Sequence, residues 1–143
     1  MMAKLEQFNC RDVGNYIFKS QRLETFKTWV FDDNSSCNAD KMAEAGFIKK
    51  VEDEVECFVC LKELDGWEEN DDPWTEHKKH SSSCLFMKLG KKEEDLTFYE
   101  MTDLLFERTK NITIAQHAEM RSKILEAGKK VRNKLVKLSQ SQK

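Results

Sequence analysis

Cys57, Cys60, His77 and Cys84 stand in the pattern C-x2-C-x16-H-x6-C, and no other feature restricts so strongly what this chain can fold into. Zinc takes four thiolate or imidazole ligands in a tetrahedron, and three cysteines with one histidine is a common structural set. The Cys57-Phe58-Val59-Cys60 turn supplies two thiolates from one short piece of chain. Asp72-Pro73 reads as a helix start, with aspartate as N-cap and proline in the first turn. His77 lies on that helix and Cys84 shortly beyond its end, so one ion would staple a strand region to a helix. Four protein ligands leave no coordination position for a substrate, and a metal-bound thiolate is not a free nucleophile. The reading is one structural Zn2+ per chain, no catalytic residue and no enzyme. Cys10 and Cys37 fall outside the spacing and read as free cysteines.

A metal also explains how so charged a chain folds. With 35 % charged and 39 % apolar residues, its 143 residues sustain a core over roughly half to two-thirds of their length. The formal charge of −2 hides a split. Residues 1–90 carry 12 basic and 18 acidic side chains, net −6, and residues 91–143 carry 12 and 8, net +4. Two differently charged halves point to two differently built halves. No apolar run approaches the ~20 residues of a membrane span. The N-terminal MMAKLEQFNCRD lacks the apolar stretch of a secretory signal, and an odd cysteine count with a close pair fits reduced thiols. The expectation is an intracellular protein.

Local signals divide the chain. Leu23, Phe26 and Trp29 read as one apolar helical face, and Asp32 to Ser36 as a loop. Met42, Ala43 and Ala45 read as a short helix closed by Gly46. Residues 47–70 hold short apolar clusters, predicted as short strands. Beyond Gly90, Thr97 and Glu100 form a capping-box signature, and no proline follows. Met101, Leu105, Ile112 and Ala115 follow one apolar seam, and Ile124, Val131, Leu135 and Leu138 a second, out of register with the first. A helix of ~40 residues runs roughly 60 Å and its stripe needs a partner. The broken register argues against an uninterrupted two-stranded coiled coil, and the alternative to a partner is that the helix folds back on its own domain. The expected divisions are an N-terminal arm (1–14), a zinc domain (15–89), a linker or dimer segment (90–96), an assembly helix (97–138) and a tail (139–143).

The ligand spacing, with Arg22, MAEAGF at 42–47 and GWEENDDPWTEH at 66–77, resembles the baculovirus IAP repeat, the BIR family. One such repeat followed directly by a long helix resembles the single-repeat members that act in mitosis. The resemblance implies an α+β fold, in which a short three-stranded antiparallel sheet with surrounding short helices is followed by one long C-terminal α-helix. It also implies a groove for a partner's free N-terminal alanine. Asp71, with Asp65 or Glu76 nearby, would hold the α-ammonium group, and Leu64 and Trp67 would cover the methyl group and adjoining backbone. Trp74 reads as core rather than groove. At His80, caspase-inhibiting members generally place an aromatic residue. A histidine with Lys62 available suits a phosphate instead, as in recognition of a histone tail that begins Ala-Arg and carries phosphothreonine third.

By the same resemblance the helix would bundle with borealin and the N-terminal helix of the inner centromere protein, which bring an Aurora-type kinase to chromatin. The implied role is a chromosomal passenger adaptor in chromosome segregation and cytokinesis. It would be found in nucleus and cytoplasm, at centromeres in early mitosis and at the spindle midzone and midbody later. Leu96, Phe98 and Met101 fall in the region through which a free chain would form a homodimer. Leu105, Ile112, Ile124, Val131, Leu135 and Leu138 complete the expected assembly surface. The alternative is an inhibitor of apoptosis acting on caspases or on their Ala-N-terminal antagonists. A ubiquitin ligase would need a second cysteine/histidine set, and after Cys84 there is only His117. Nucleic-acid binding through the eight basic residues from Arg121 onward lacks a stacking aromatic, since none follows Phe106.

Overall fold

Short-range signals place most of the small elements. The structure, a computed structural model, describes residues 16–141. The expected arm over residues 1–14, with Cys10 in it, lies outside the described residues. Helix α1 is Lys19–Glu24 and α2 is Ala39–Glu44. The Asn38 side chain accepts from the Lys41 N–H at 2.9 Å, the N-cap contact of α2. Gly46 follows the helix at φ +89°. A Cβ there would lie 2.9 Å from the Phe86 ring, so glycine supplies both the left-handed turn and the close approach.

Three strands follow: β1 Phe47–Lys49, β2 Val55–Cys57 and β3 Glu63–Leu64. They form one antiparallel sheet in the order β1-β2-β3, with Phe47 opposite Cys57 and Val55 opposite Leu64. Helix α3, Pro73–His80, starts as predicted, with Asp72 Oδ1 accepting from the Thr75 N–H at 2.8 Å. Then come α4 (Leu85–Leu89), a 3-10 turn (Glu93–Asp95) and the long helix α5 (Phe98–Gln140). Glu100 Oε2 accepts from the Thr97 N–H at 2.8 Å, and Thr97 Oγ1 accepts from the Glu100 N–H at 3.3 Å. That is the capping box. The α+β architecture, with its antiparallel sheet, short helices and long C-terminal helix, is the expected one.

One sequence reading is corrected. Leu23, Phe26 and Trp29 do not share a helical face, because α1 ends at Glu24 and the chain continues in turns. Thr25 holds that bend, its hydroxyl donating to the Arg22 carbonyl at 2.6 Å and accepting from the Lys49 N–H at 2.9 Å. Leu23 is left exposed, while Phe26 is buried and meets the Trp29 ring edge-on, centroids 5.2 Å apart.

The helical residue that enters the core is Arg22, 1 % exposed. Its guanidinium donates to the carbonyls of Ala43 (2.8 Å), Tyr16 (2.9 Å) and Ile17 (2.8 Å), and lies 4.5 Å over the Phe58 ring. Glu93 stands 3.6 Å away and supplies the countercharge. Burial lowers the Arg22 pKa to about 10, with Glu93 opposing, so the side chain remains a cation at neutral pH. The buried core includes Met42, Phe47, Val55, Phe58, Val59 and Phe86.

The first part of α5 belongs to this core. Leu104 is fully buried, Arg108 is 5 % exposed, and Met101 and Leu105 pack partly against the domain. The chain divides into two compact units at Asn111 and Ile112. In the second unit every described residue from 113 to 141 is exposed.

Candidate metal centre and peptide groove

The tight turn after β2, helix α3 and the start of α4 bring the four predicted ligands together. Their ligand atoms, on Cys57, Cys60, His77 and Cys84, all lie within 4.8 Å of one another. Cys57 Sγ is 3.9 Å from Cys84 Sγ, and Cys60 Sγ is 3.7 Å from His77 Nε2. A tetrahedron with metal–sulfur bonds of about 2.3 Å has edges of about 3.8 Å, so the cage fits zinc. His77 Nδ1 is 2.9 Å from the Ala45 carbonyl, which takes the ring N–H and leaves Nε2 for the metal. The N–H groups of Val59 and Cys60 donate to Cys57 Sγ at 3.3 and 3.5 Å, and the Ser81 hydroxyl donates to Cys60 Sγ at 3.3 Å. Burial, then the crowding of Cys60 and Cys84, push the Cys57 thiol well above its ordinary range, whereas hydrogen bonds from Cys57 and Cys84 hold Cys60 low. Three thiolates coexist in this space only around a divalent cation, which deprotonates the thiols it binds.

Cys37 takes no part. It is buried, its Sγ 3.7 Å from Met42 Sδ, and burial pushes its thiol up to about 12. It is a free, inert cysteine, as expected.

A second site opens beside α3, on the face next to that of His77. Leu64, Asp65, Gly66, Trp67, Asp71, Glu76 and His80 line a cleft of about 160 Å³ beside the edge strand β3. Six of the seven predicted groove residues therefore converge. Lys62 is exposed, one residue before β3, and is not part of the lining. Trp67 is anchored edge-on against Phe47, centroids 5.4 Å apart. Asp71 Oδ2 accepts from the Glu68 N–H at 2.8 Å, which orients the carboxylate. Glu76 Oε2 meets His80 Nε2 at 3.3 Å and Lys79 Nζ at 3.2 Å. Trp74 stacks on Phe86 at 5.2 Å, within the core.

Sequence reasoning missed one support of this cleft. Asp53, in the β1–β2 turn, accepts from the Gly66 N–H at 2.9 Å and so holds the rim between Asp65 and Trp67. The only signal was an aspartate in a tight turn, too common a feature to single out.

The expected assembly residues fall into two groups. Leu96, Met101 and Leu105 pack partly against the core, and Ile112 is half-buried. Phe98, Ile124, Val131, Leu135 and Leu138 are exposed, Phe98 most of all at 82 %.

A zinc cage that joins a three-stranded sheet to a short helix, with an acidic cleft beside the same helix, defines a BIR-type domain. Residues 22–88 match the family model described as BIR, Inhibitor of Apoptosis domain. The chain is 42 % identical over 125 residues to Baculoviral IAP repeat-containing protein 5 of Cavia porcellus, covering 85 % of this chain and 88 % of that protein. It is 53 % identical over 93 residues to Baculoviral IAP repeat-containing protein 5.2 of Xenopus tropicalis, a match spanning 62 % of this chain and 60 % of the frog protein's length. A crystal structure of DIAP1 BIR1 bound to a Grim peptide superposes with a TM-score of 0.45 at 30 % identity, over 50 % of this chain and 71 % of that one. The chain belongs to the BIR family of inhibitor-of-apoptosis proteins, and within it is similar to the proteins numbered 5.

Proposed function

We propose that this protein is a non-catalytic adaptor whose BIR cleft binds the free N-terminus of a histone tail phosphorylated on its third-residue threonine. In the same reading α5 bundles with helices of borealin and the inner centromere protein, so that an Aurora-type kinase is carried to chromatin. The observation that carries the proposal is the cleft's composition. Asp65, Asp71 and Glu76 concentrate negative charge around a cleft walled by Leu64 and Trp67. An α-ammonium group beside a methyl group answers that chemistry, and the free edge of β3 offers backbone groups to the peptide that follows. His80 forms one end of the cleft. In the free protein its imidazole leans on Glu76, and a phosphate would offer it a stronger acceptor.

Calorimetric titration with short peptides tests this reading. A peptide beginning Ala-Arg-phosphothreonine is expected to bind about tenfold more tightly than its plain form, since one hydrogen bond between charged groups contributes roughly 1.5–3 kcal/mol. His80→Ala removes that preference, Asp71→Ala weakens both peptides alike, and N-terminal acetylation abolishes binding of either. Equal affinity for the two forms rejects the phosphate role. Binding confined to Ala-Val-Pro-type peptides moves the assignment to the apoptosis antagonists.

A further inference from the structure

Two polar residues of α5 reach the turn that carries Cys57 and Cys60. Arg108 Nη1 donates to the Phe58 carbonyl at 2.6 Å, and Asn111 Nδ2 donates to the Val59 carbonyl at 2.9 Å. They sit three residues apart on one helical face, in line with the buried Leu104. The carbonyl of Phe58 and the N–H of Val59 belong to one peptide plane, and those of Val59 and Cys60 to the next. In a trans peptide the two groups point in opposite directions. The N–H ends of these same two planes are the ones directed at Cys57 Sγ, at 3.3 and 3.5 Å. Each helix side chain therefore grips the oxygen end of a peptide whose nitrogen end supports a zinc ligand.

We infer that Arg108 and Asn111 are positioning residues of the zinc centre, acting on the Cys57 sulfur through the Phe58–Val59 and Val59–Cys60 peptide planes. A donor on a carbonyl polarises the whole amide and strengthens the bond its N–H makes. Arg108 contributes a charged donor in a nearly buried setting, where that effect is largest. The two N–H donors stabilise Cys57 as a thiolate and fix the direction of its lone pairs, which is how residues outside the ligand set tune a metal site. The helix is thereby coupled to zinc retention: its residues 108–111 complete the cage that the four ligands begin.

The test uses the full zinc-loaded chain and the variants R108M, R108K and N111A, with K110A as control, since Lys110 pairs with Glu107 instead. Transfer of zinc to excess chromophoric chelator is timed, and the thiolate-to-metal charge-transfer band of the cobalt-substituted proteins is recorded. R108M and N111A are expected to release zinc about tenfold faster than wild type. R108K, which keeps a cationic donor, recovers most of that difference, and K110A matches wild type. The charge-transfer band shifts to longer wavelength in R108M and N111A, because weaker N–H donation leaves more electron density on the Cys57 sulfur. Should R108M fail to fold, N111A decides. Release within about twofold of wild type in N111A overturns the inference. So does faster release with an unmoved band, since that outcome assigns the contacts to helix packing alone.

Discussion

Nδ1 of His77 lies 2.9 Å from the carbonyl oxygen of Ala45, and that contact decides which side of the imidazole faces the cysteines. Ala45 is the C-cap of α2 and His77 sits midway along α3, so one hydrogen bond joins two helices and selects the tautomer that binds zinc. The His77 ring also lies 4.7 Å from Phe47, which closes its other face to water.

One zinc per chain is expected by atomic absorption. In so small a domain metal-binding free energy is folding free energy, of order 10 kcal/mol or more for structural zinc. His77→Ala or Cys84→Ser, or a strong chelator, should abolish the cooperative thermal transition of the zinc domain. A metal-free chain that keeps that transition contradicts the assignment.

Arg22→Met removes the donor from three carbonyls and the cation that faces Glu93, which keeps its hydrogen bond from the Lys19 N–H. Loss of a buried charged hub typically costs about 3–5 kcal/mol. Urea denaturation of the zinc-loaded variant should show a loss of that order, and Arg22→Lys should recover little, because an ammonium cannot reproduce the planar fork. A loss below about 1 kcal/mol would mean that the hub is not formed in solution.

Glu100 gives a pH dependence with a definite sign. Hydrogen bonds from Lys91, at 2.6 Å, and from the Thr97 N–H lower its carboxyl from 4.5 to about 2. A folded-state value below the unfolded one means that the cap is fully stabilising above about pH 4.5 and is lost as pH falls toward 2. The measurement is an NMR titration of the Glu100 side-chain carboxyl carbon, whose midpoint should fall near pH 2. A midpoint near 4.5 would show that the capping box is open.

Val131→Glu and Leu135→Glu separate assembly from folding. Both residues are exposed, at 60 and 62 %, so either change should alter the isolated chain's stability by only about 0.5 kcal/mol and leave zinc bound. In an apolar interface the same carboxylate is a buried unpaired charge costing several kcal/mol. If the proposed assembly forms, co-purification of borealin-like and inner-centromere-protein helices from cell extract should fall sharply. Undiminished recovery of both would remove the assembly role from this stripe.

What could be read from residue types alone was chemistry that depends on identity and local spacing. Four ligands within 28 residues, an aspartate before a proline, Thr97 three residues before Glu100, and a glycine after MAEA each name their own role. The cleft was read through the family resemblance and not from residue types, and its lining falls within residues 64–80, so one short stretch carries nearly the whole site. Folding in space decided the rest. Arg22 and not Leu23 enters the core because three carbonyls and the Phe58 face converge on it, while α1 stops one residue before Thr25. Asp53 finds Gly66, Arg108 finds Phe58 and Asn111 finds Val59 across 13, 50 and 52 positions of chain. In each case the partner group is a backbone N–H or carbonyl. Nearly every residue carries one of each, so no residue type at the receiving end announces the contact, and only the tertiary structure selects it.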